Sequence, residues 1–353
     1  RLLLTNGTAT GRAEGASLLQ PGDVQVWQPW DTPGAVKRFL RHFKPRIGVL
    51  LETEVWPNLA AACRQAGVPL VLANARLSEK SLRSALRLAW IAKPAYQSLV
   101  AVWAQTEVGA QRFRRLRAPV QAVLGNLKFD AKPDAAQIAQ GRAWRADAGR
   151  PVILLASSRE GEEVPFLRII QSFRAQSHTA SEDDATESIV NDIQWLIVPR
   201  HPQRFDEVAA LITRDGLGLS RRSEWTAAPA TADVWLGDSL GEMALYYGLA
   251  DVALLGGSFE PLGGQNLIEA AACGCPVVMG PSTFNFAQAA RLAEAAGAAI
   301  RSDSMAQALQ TAVTLARDVP GRVAMAGRAT GFAAAHQGTA DKTADAVVAL
   351  LTR

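Results

Sequence analysis

The stretch GGSFEPLGGQNLIEAAACGCPVVMGP, Gly256 to Pro281, restricts the fold more than any other part of the chain. Glycines at 256, 257, 263 and 264 let the backbone approach a ligand closely, and residues 266–273 carry a helical pattern whose N-terminus opens onto that loop. An anion suits such a place, because unpaired N–H groups and the positive end of the helix dipole converge there. Asn266 and Glu269 share one face of the first turn, where a carboxylate can accept hydrogen bonds from vicinal hydroxyls such as those of a ribose. Gly274 then ends the helix, and PVVMG follows as a short buried strand. Loop, helix and strand in that order predict a nucleotide-binding α/β unit. The plainer alternative is a βαβ crossover with tight glycine turns.

The rest of the chain repeats this alternation. VQVWQPW, IGVLLETEVWPNL, VPLVLANARLS and VAVWAQT read as short apolar strands separated by helical segments such as AVKRFLRHFKP. Strands of this kind form a parallel sheet covered on both faces, and ligands gather outside its carboxyl edge. Glu52 and Glu54 follow one such strand, and residues 74–78 follow another. The two glutamates alternate on a strand end, so they point to opposite faces and cannot both reach one atom. A second α/β series begins at PVILLASSREGEE, where Ser157 and Ser158 are placed to cap the next helix. WLIVPRHPQRF then sets Arg200 and His201 directly after a strand, where a guanidinium can hold a phosphate or carboxylate by two bonds. Gly241 and Glu242 open a further helix with an acidic first turn. Ser177 to Asp192 is polar, acidic and aperiodic, and reads as a mobile surface insertion without chemistry.

A chain of 353 residues with 48% apolar composition is long enough for two cores. Its most apolar window, LRLAWIAKPAYQSLVAVWA, carries Lys93 and Pro94 in the middle and is no membrane span. Three cysteines make no disulfide framework, which fits a reducing cytosol. No HExxH, His/Cys cluster, nucleophile elbow or nucleic-acid motif is present, so metal hydrolysis, acyl hydrolysis and nucleic-acid binding have little support. Net charge is only +4 but lopsided: residues 1–133 hold 19 Lys/Arg against 8 Asp/Glu, and the remainder 18 against 25. A first half at +11 suits an anionic surface or a phosphorylated glycolipid, and the basic segments RSALRLAWIAK and RFRRLR could lie on a membrane.

Two Rossmann-like halves with a nucleotide signature in the second suggest the GT-B architecture, in which two parallel sheets face a central cleft. ETEVWPN, NARLS, AQTEVGAQRF, GNLKFD, VPRHPQRF, GDSLGEM with LYY, and the Gly256–Pro281 stretch with TFNF resemble, in that order, the 3-deoxy-D-manno-octulosonic acid (Kdo) transferases of lipopolysaccharide synthesis. The resemblance implies transfer of Kdo from CMP-Kdo to a lipid A precursor at the cytoplasmic face of the inner membrane, with no metal and no other cofactor. It implies an acceptor domain over residues 1–127, a linker over 128–134, a nucleotide-sugar domain over 135–330 and a closing helix over 331–353. Glu52 and Glu54 become the candidate catalytic carboxylates, with Arg76, Ser78 and Lys128 on the acceptor side. Ser157, Ser158, Arg200, His201, Gly241, Glu242, Gly257, Ser258, Gly263, Gly264, Asn266 and Glu269 become the nucleotide-sugar contacts. Gln265 and Arg159 stand where the family usually has His. The family's membrane anchor, first strand and presumed general-base glutamate are expected upstream of residue 1. A transferase using a UDP-sugar and a non-catalytic nucleotide- and glycolipid-binding protein are the alternatives, and preference for CMP over UDP separates the first of these.

Overall fold

The computed structural model describes residues 1–179 and 193–352. The acidic insertion anticipated at 177–192 therefore lies, from residue 180 onward, outside the described residues. The chain divides into two units, Arg1–Asp130 with Gly338–Arg353, and Ala131–Gln337.

In the first unit β1 (Leu3–Asn6) and β2 (Val24–Trp27) pair in parallel, and β3 (Gly48–Leu51), β4 (Leu70–Ala75), β5 (Ala101–Ala104) and β6 (Val120–Val123) form a parallel sheet in sequence order. β4 lies inside that sheet with every residue buried, as its unbroken run LVLANA requires of a strand covered on both faces. Leu70 and Leu72 join a core with Val36, Leu59 and Phe113, while Val71 and Ala73 face Ala346, Val347 and Leu350 of the final helix, Thr339–Leu351. Local chemistry sets the helix ends. Pro33 and Pro57 begin the helices Pro33–Phe43 and Pro57–Ala66, and Gly67 ends the second in the left-handed region. Asp31 caps that second helix from a distance, accepting from Leu59 N at 2.8 Å and Asn58 N at 3.1 Å.

In the second unit β7 (Val152–Ser158), β8 (Gln194–Pro199), β9 (Leu219–Arg221), β10 (Val234–Leu236), β11 (Val252–Leu255), β12 (Val277–Met279) and β13 (Ala299–Arg301) form an all-parallel sheet. Their order is β13-β12-β11-β7-β8-β10-β9. The chain lays β8, the edge strand β9 and the intervening β10 on one side of β7, then crosses to β11 on the other, so β7 and β11 flank the switch point where open α/β sheets take ligands. Beneath them Ile153, Leu155, Trp195, Ile197, Val208 and Leu254 make the core. The helices Ala135–Asp147 and Met243–Leu249 approach so closely that a Cβ at Gly141 would overlap the Leu245 carbonyl oxygen.

Candidate functional site

The carboxyl end of β11 runs into the glycine loop, and the loop is closed on itself. Gly264 N donates to Gly257 O at 2.8 Å and Gln265 N to Gly256 O at 3.0 Å. A Cβ at Gly256 would overlap the carbonyl oxygens of Ala156 and Ser157, so only glycine lets this loop lie against the end of β7. Gly257, Gly263 and Gly264 all have positive φ. The loop leads into the helix Leu267–Ala272, whose N-cap is Asn266, its Oδ1 accepting from Ile268 N at 3.2 Å.

Ser258, assigned from sequence to ligand contact, is instead a brace. It is 0% exposed, and its hydroxyl donates to Leu255 O and accepts from Gly280 N at 2.8 Å, tying the ends of β11 and β12 together. Ser158 is corrected in the same way. β7 extends through it in register with Pro199, so it caps no helix; its buried hydroxyl donates to Glu163 Oε1 at 2.7 Å. Ser157, also expected as a cap, lies in the strand too. It adopts φ 55 and is half-buried, its hydroxyl on Met243 Sδ at 3.7 Å.

Two buried glutamates that sequence reasoning passed over hold the site in shape. Glu162 accepts from three backbone N–H groups, Gly257 at 2.7 Å, Arg159 at 2.9 Å and Phe259 at 3.1 Å, and so fixes the glycine loop to the loop after β7. Burial raises its pKa above the ordinary value, against the pull of those three donors. Glu163 is gripped by both terminal nitrogens of Arg204, at 2.7 and 3.2 Å, which fixes the loop after β8.

Arg159 and Arg200 bring positive charge to this edge, both acting on His201 and Arg200 also on Glu269, and among the described residues neither forms an ion pair with a carboxylate. His201 lies among Arg159, Arg200 and Arg204, and its pKa is held down first by desolvation and then by these three charges. Glu269 is half-buried on the first turn of the short helix; burial raises its carboxyl pKa, and the Arg200 charge pulls it back. Arg200, His201, Glu269, Gly257 and Ser157 thus converge on one edge, with Arg159 as an addition marked from sequence only as a departure.

Gly241 and Glu242 stand at a helix start as expected, Glu242 being the N-cap residue of Met243–Leu249, but both are tied into a neighbouring polar cluster. Glu242 Oε1 accepts from Arg222 Nη2 at 2.8 Å, its other oxygen accepts from Ser239, and Ser239 also meets the Tyr246 hydroxyl. Arg222 lies over the rings of Trp144 and Trp225. The Gly241 carbonyl accepts from Gln137 Nε2 at 3.0 Å.

In the first unit the expectation for the ETE motif needs correction. β3 stops at Leu51, and Glu52 takes φ 59, so strand alternation does not orient the two glutamates. Glu52 instead bends back: its carbonyl accepts from Arg76 N at 2.9 Å and its carboxylate meets Lys128 Nζ at 3.5 Å. Glu52, Arg76 and Lys128 are together; Glu54 is exposed, 3.4 Å from Trp56 Nε1. Ser78 serves as the N-cap of the helix Glu79–Arg87, accepting from Ser81 N at 3.0 Å.

Residues 1–131 match the family described as 3-Deoxy-D-manno-octulosonic-acid transferase (kdotransferase). A 3-deoxy-D-manno-octulosonic acid transferase of Bordetella pertussis is 47% identical over 98% of this chain and 80% of its own length. One from Haemophilus influenzae is 29% identical over 88% of this chain and 71% of its own. Among solved structures, Anabaena Alr3699/HepE in complex with UDP superposes with a TM-score of 0.58 at 16% identity, covering 99% of each chain. That likeness concerns the fold, which is GT-B.

Proposed function

The chain belongs to the Kdo transferases, which are glycosyltransferases, and from that premise we propose that it moves Kdo from CMP-Kdo to a hydroxyl of a lipid A precursor. The observation that carries the donor assignment is the placement of Arg200 where its charge acts on the Glu269 carboxyl, beside a closed glycine loop at the switch point of the second sheet. Arg200 and Arg159 take the phosphate or the Kdo carboxylate, and Glu269 accepts hydrogen bonds from the ribose hydroxyls. His201, kept neutral, adds a donor without repelling the guanidinium groups.

The acceptor hydroxyl attacks the anomeric carbon of Kdo and a new C–O bond forms. The bond from that carbon to the phosphate oxygen breaks, its electron pair leaving with CMP, and the hydroxyl proton passes to a carboxylate. Glu52 is the carboxylate assigned to this step, because Lys128 and Arg76 stand beside it and suit a phosphorylated acceptor. Arg200 and the start of the Leu267–Ala272 helix take up charge on the departing phosphate.

The acceptor's lipid calls for a membrane surface, and the first unit offers one contact of the right kind. Leu88, Trp90 and Ile91 are 56, 76 and 37% exposed where the helices Glu79–Arg87 and Ala89–Gln97 meet, next to Arg83 and Arg87. Basic helices bearing an exposed Trp fit the cytoplasmic face of an anionic bilayer. No helix among the described residues is long and apolar enough to cross a membrane.

Calorimetric titration with CMP and with UMP tests the donor assignment. Preferential binding of CMP, lost in Arg200→Ala, is expected; equal or stronger binding of UMP overturns the assignment in favour of a UDP-sugar donor.

A further inference from the structure

The amino ends of the strands in the second unit carry a concave surface of their own, on the edge of the sheet opposite the glycine loop. β7 begins at Val152, and a cavity of about 580 Å³ opens beside it, lined chiefly by Arg145, Arg150, Pro151, Arg317, Val319 and Arg322. Its described wall holds four arginines and no acidic side chain. A wall of this composition is built for negative charge.

The guanidinium groups are held from behind. Asp251, 8% exposed, accepts from Arg322 Nη1 at 2.8 Å through one oxygen and from Arg145 Nε and Val152 N through the other, the last at 2.7 Å. Arg322 also donates to Ala316 O at 2.8 Å, and Arg150 donates to the Gln194 side chain and to Ala232 O at 3.0 Å. Three of the four side chains are thus fixed by the scaffold, so a ligand need not pay to order them. A guanidinium has five N–H donors, more than these bonds use on Arg145 or Arg322. The 17-residue helix Val319–Ala335 starts at the same cavity through Val319 and adds the positive end of its dipole, with Asp318 occupying its cap.

We propose that this cavity is an accessory binding site for a compact phosphoanion, either free pyrophosphate or the polyphosphate end of a nucleotide, separate from the site at the carboxyl ends of the strands. Two or more guanidinium forks converging on one space match the oxygens of linked phosphoryl groups, which a single carboxylate cannot satisfy. A volume near 580 Å³ admits a diphosphate with room for an attached nucleoside.

The test is calorimetric titration of the full chain at low salt with sodium pyrophosphate and, separately, with ATP. Four proteins are compared: the parent, Arg150→Gln/Arg317→Gln, the single exposed charge reversal Arg317→Glu, and Arg200→Ala as the control at the other site. The expected result is binding by the parent and by Arg200→Ala, weakened roughly tenfold or more in the double variant and in Arg317→Glu. Equal affinity for the two probes assigns the phosphates alone as the recognised group, and tighter ATP binding assigns a nucleotide. The proposal is overturned if the parent binds neither probe, if binding is unchanged in Arg317→Glu, or if only Arg200→Ala abolishes it.

Discussion

Glu162 and Gly257 are 95 residues apart in sequence and are joined by a 2.7 Å hydrogen bond from the glycine N–H to the carboxylate. With the Arg159 and Phe259 N–H groups on the same carboxylate, this bond sets the shape of the loop on which the donor assignment rests. Glu162→Gln presents an NH₂ group to at least one N–H donor, while Glu162→Ala leaves three backbone donors unpaired. An unpaired buried donor costs about 1–3 kcal/mol, so the alanine variant should lose about 3 kcal/mol or more in urea unfolding. The glutamine variant should lose less stability but bind CMP at least tenfold more weakly. Unchanged CMP affinity in a folded glutamine variant would remove Glu162 from that role.

Arg204→Ala leaves Glu163 buried without its bidentate partner. The two side chains are 13 and 1% exposed, and breaking a buried pair by removing one member costs about 3–5 kcal/mol. Arg204→Lys should recover only part of that, because an ammonium cannot grip both oxygens at once. Equilibrium denaturation of the two variants against the parent measures the difference.

Gly256→Ala pushes a methyl group into the carbonyl oxygens at the end of β7. Overpacking of this kind costs about 1–3 kcal/mol, and the displaced loop should raise the donor KM while the melting midpoint falls only by a few degrees. A variant with parent KM would show that the loop can shift without consequence for the donor.

The pH dependence of nucleotide binding follows from Glu269. Its carboxyl pKa is raised by burial, and the Arg200 charge opposes the rise. Accepting ribose hydroxyls requires the ionised form, so affinity should climb with pH through the raised pKa and level off above it. Removing Arg200 takes away the lowering influence, so in Arg200→Ala the midpoint of the residual binding should move to higher pH. The sign for stability is opposite. The native state keeps a proton that the unfolded chain has already released above its ordinary value near 4.5, so this group's contribution is fullest below that value and is lost as pH rises through the native pKa. Titrations with CMP from mildly acid to neutral pH check both the rise and the displacement.

Lys128→Ala separates acceptor recognition from folding. Its pairing with Glu52 spans 3.5 Å between side chains 41 and 37% exposed, and an exposed pair contributes at most about 1 kcal/mol. Thermal melting should scarcely change, whereas the KM for a phosphorylated glycolipid acceptor should rise several-fold. A KM equal to that of the parent would take Lys128 off the acceptor side.

The parts of this molecule that sequence disclosed are those governed by near neighbours. The β4 run and the short helix after the glycine loop, ended by Gly274, are each set by residues within a few positions of themselves. The misreadings at Ser157, Ser158 and Glu52 share a cause: the end of a strand is decided by what it pairs with, and β7 continues because Pro199 of β8 lies opposite Ser158. Ser258 looked like a loop residue near a ligand, but two strand ends converge on its hydroxyl. Glu162 and Glu163 were visible only as acidic residues at a helix start, since the groups they hold lie 95 and 41 residues away. The arginine-lined cavity had no local signature either, for its walls come from two segments well over a hundred positions apart.

The last helix, Thr339–Leu351, closes a face of the sheet whose strands β4 and β5 are made more than 230 residues earlier. During synthesis Val71, Ala73, Ala101 and Trp103 therefore wait uncovered while the whole of the second unit leaves the ribosome. A chain released before its final turns would carry a permanently open apolar face, the kind of surface that chaperones hold and that drives clumping when they are scarce. The Asp130 carboxylate, which accepts from Gly338 N and Ala340 N, is where that late arrival is latched.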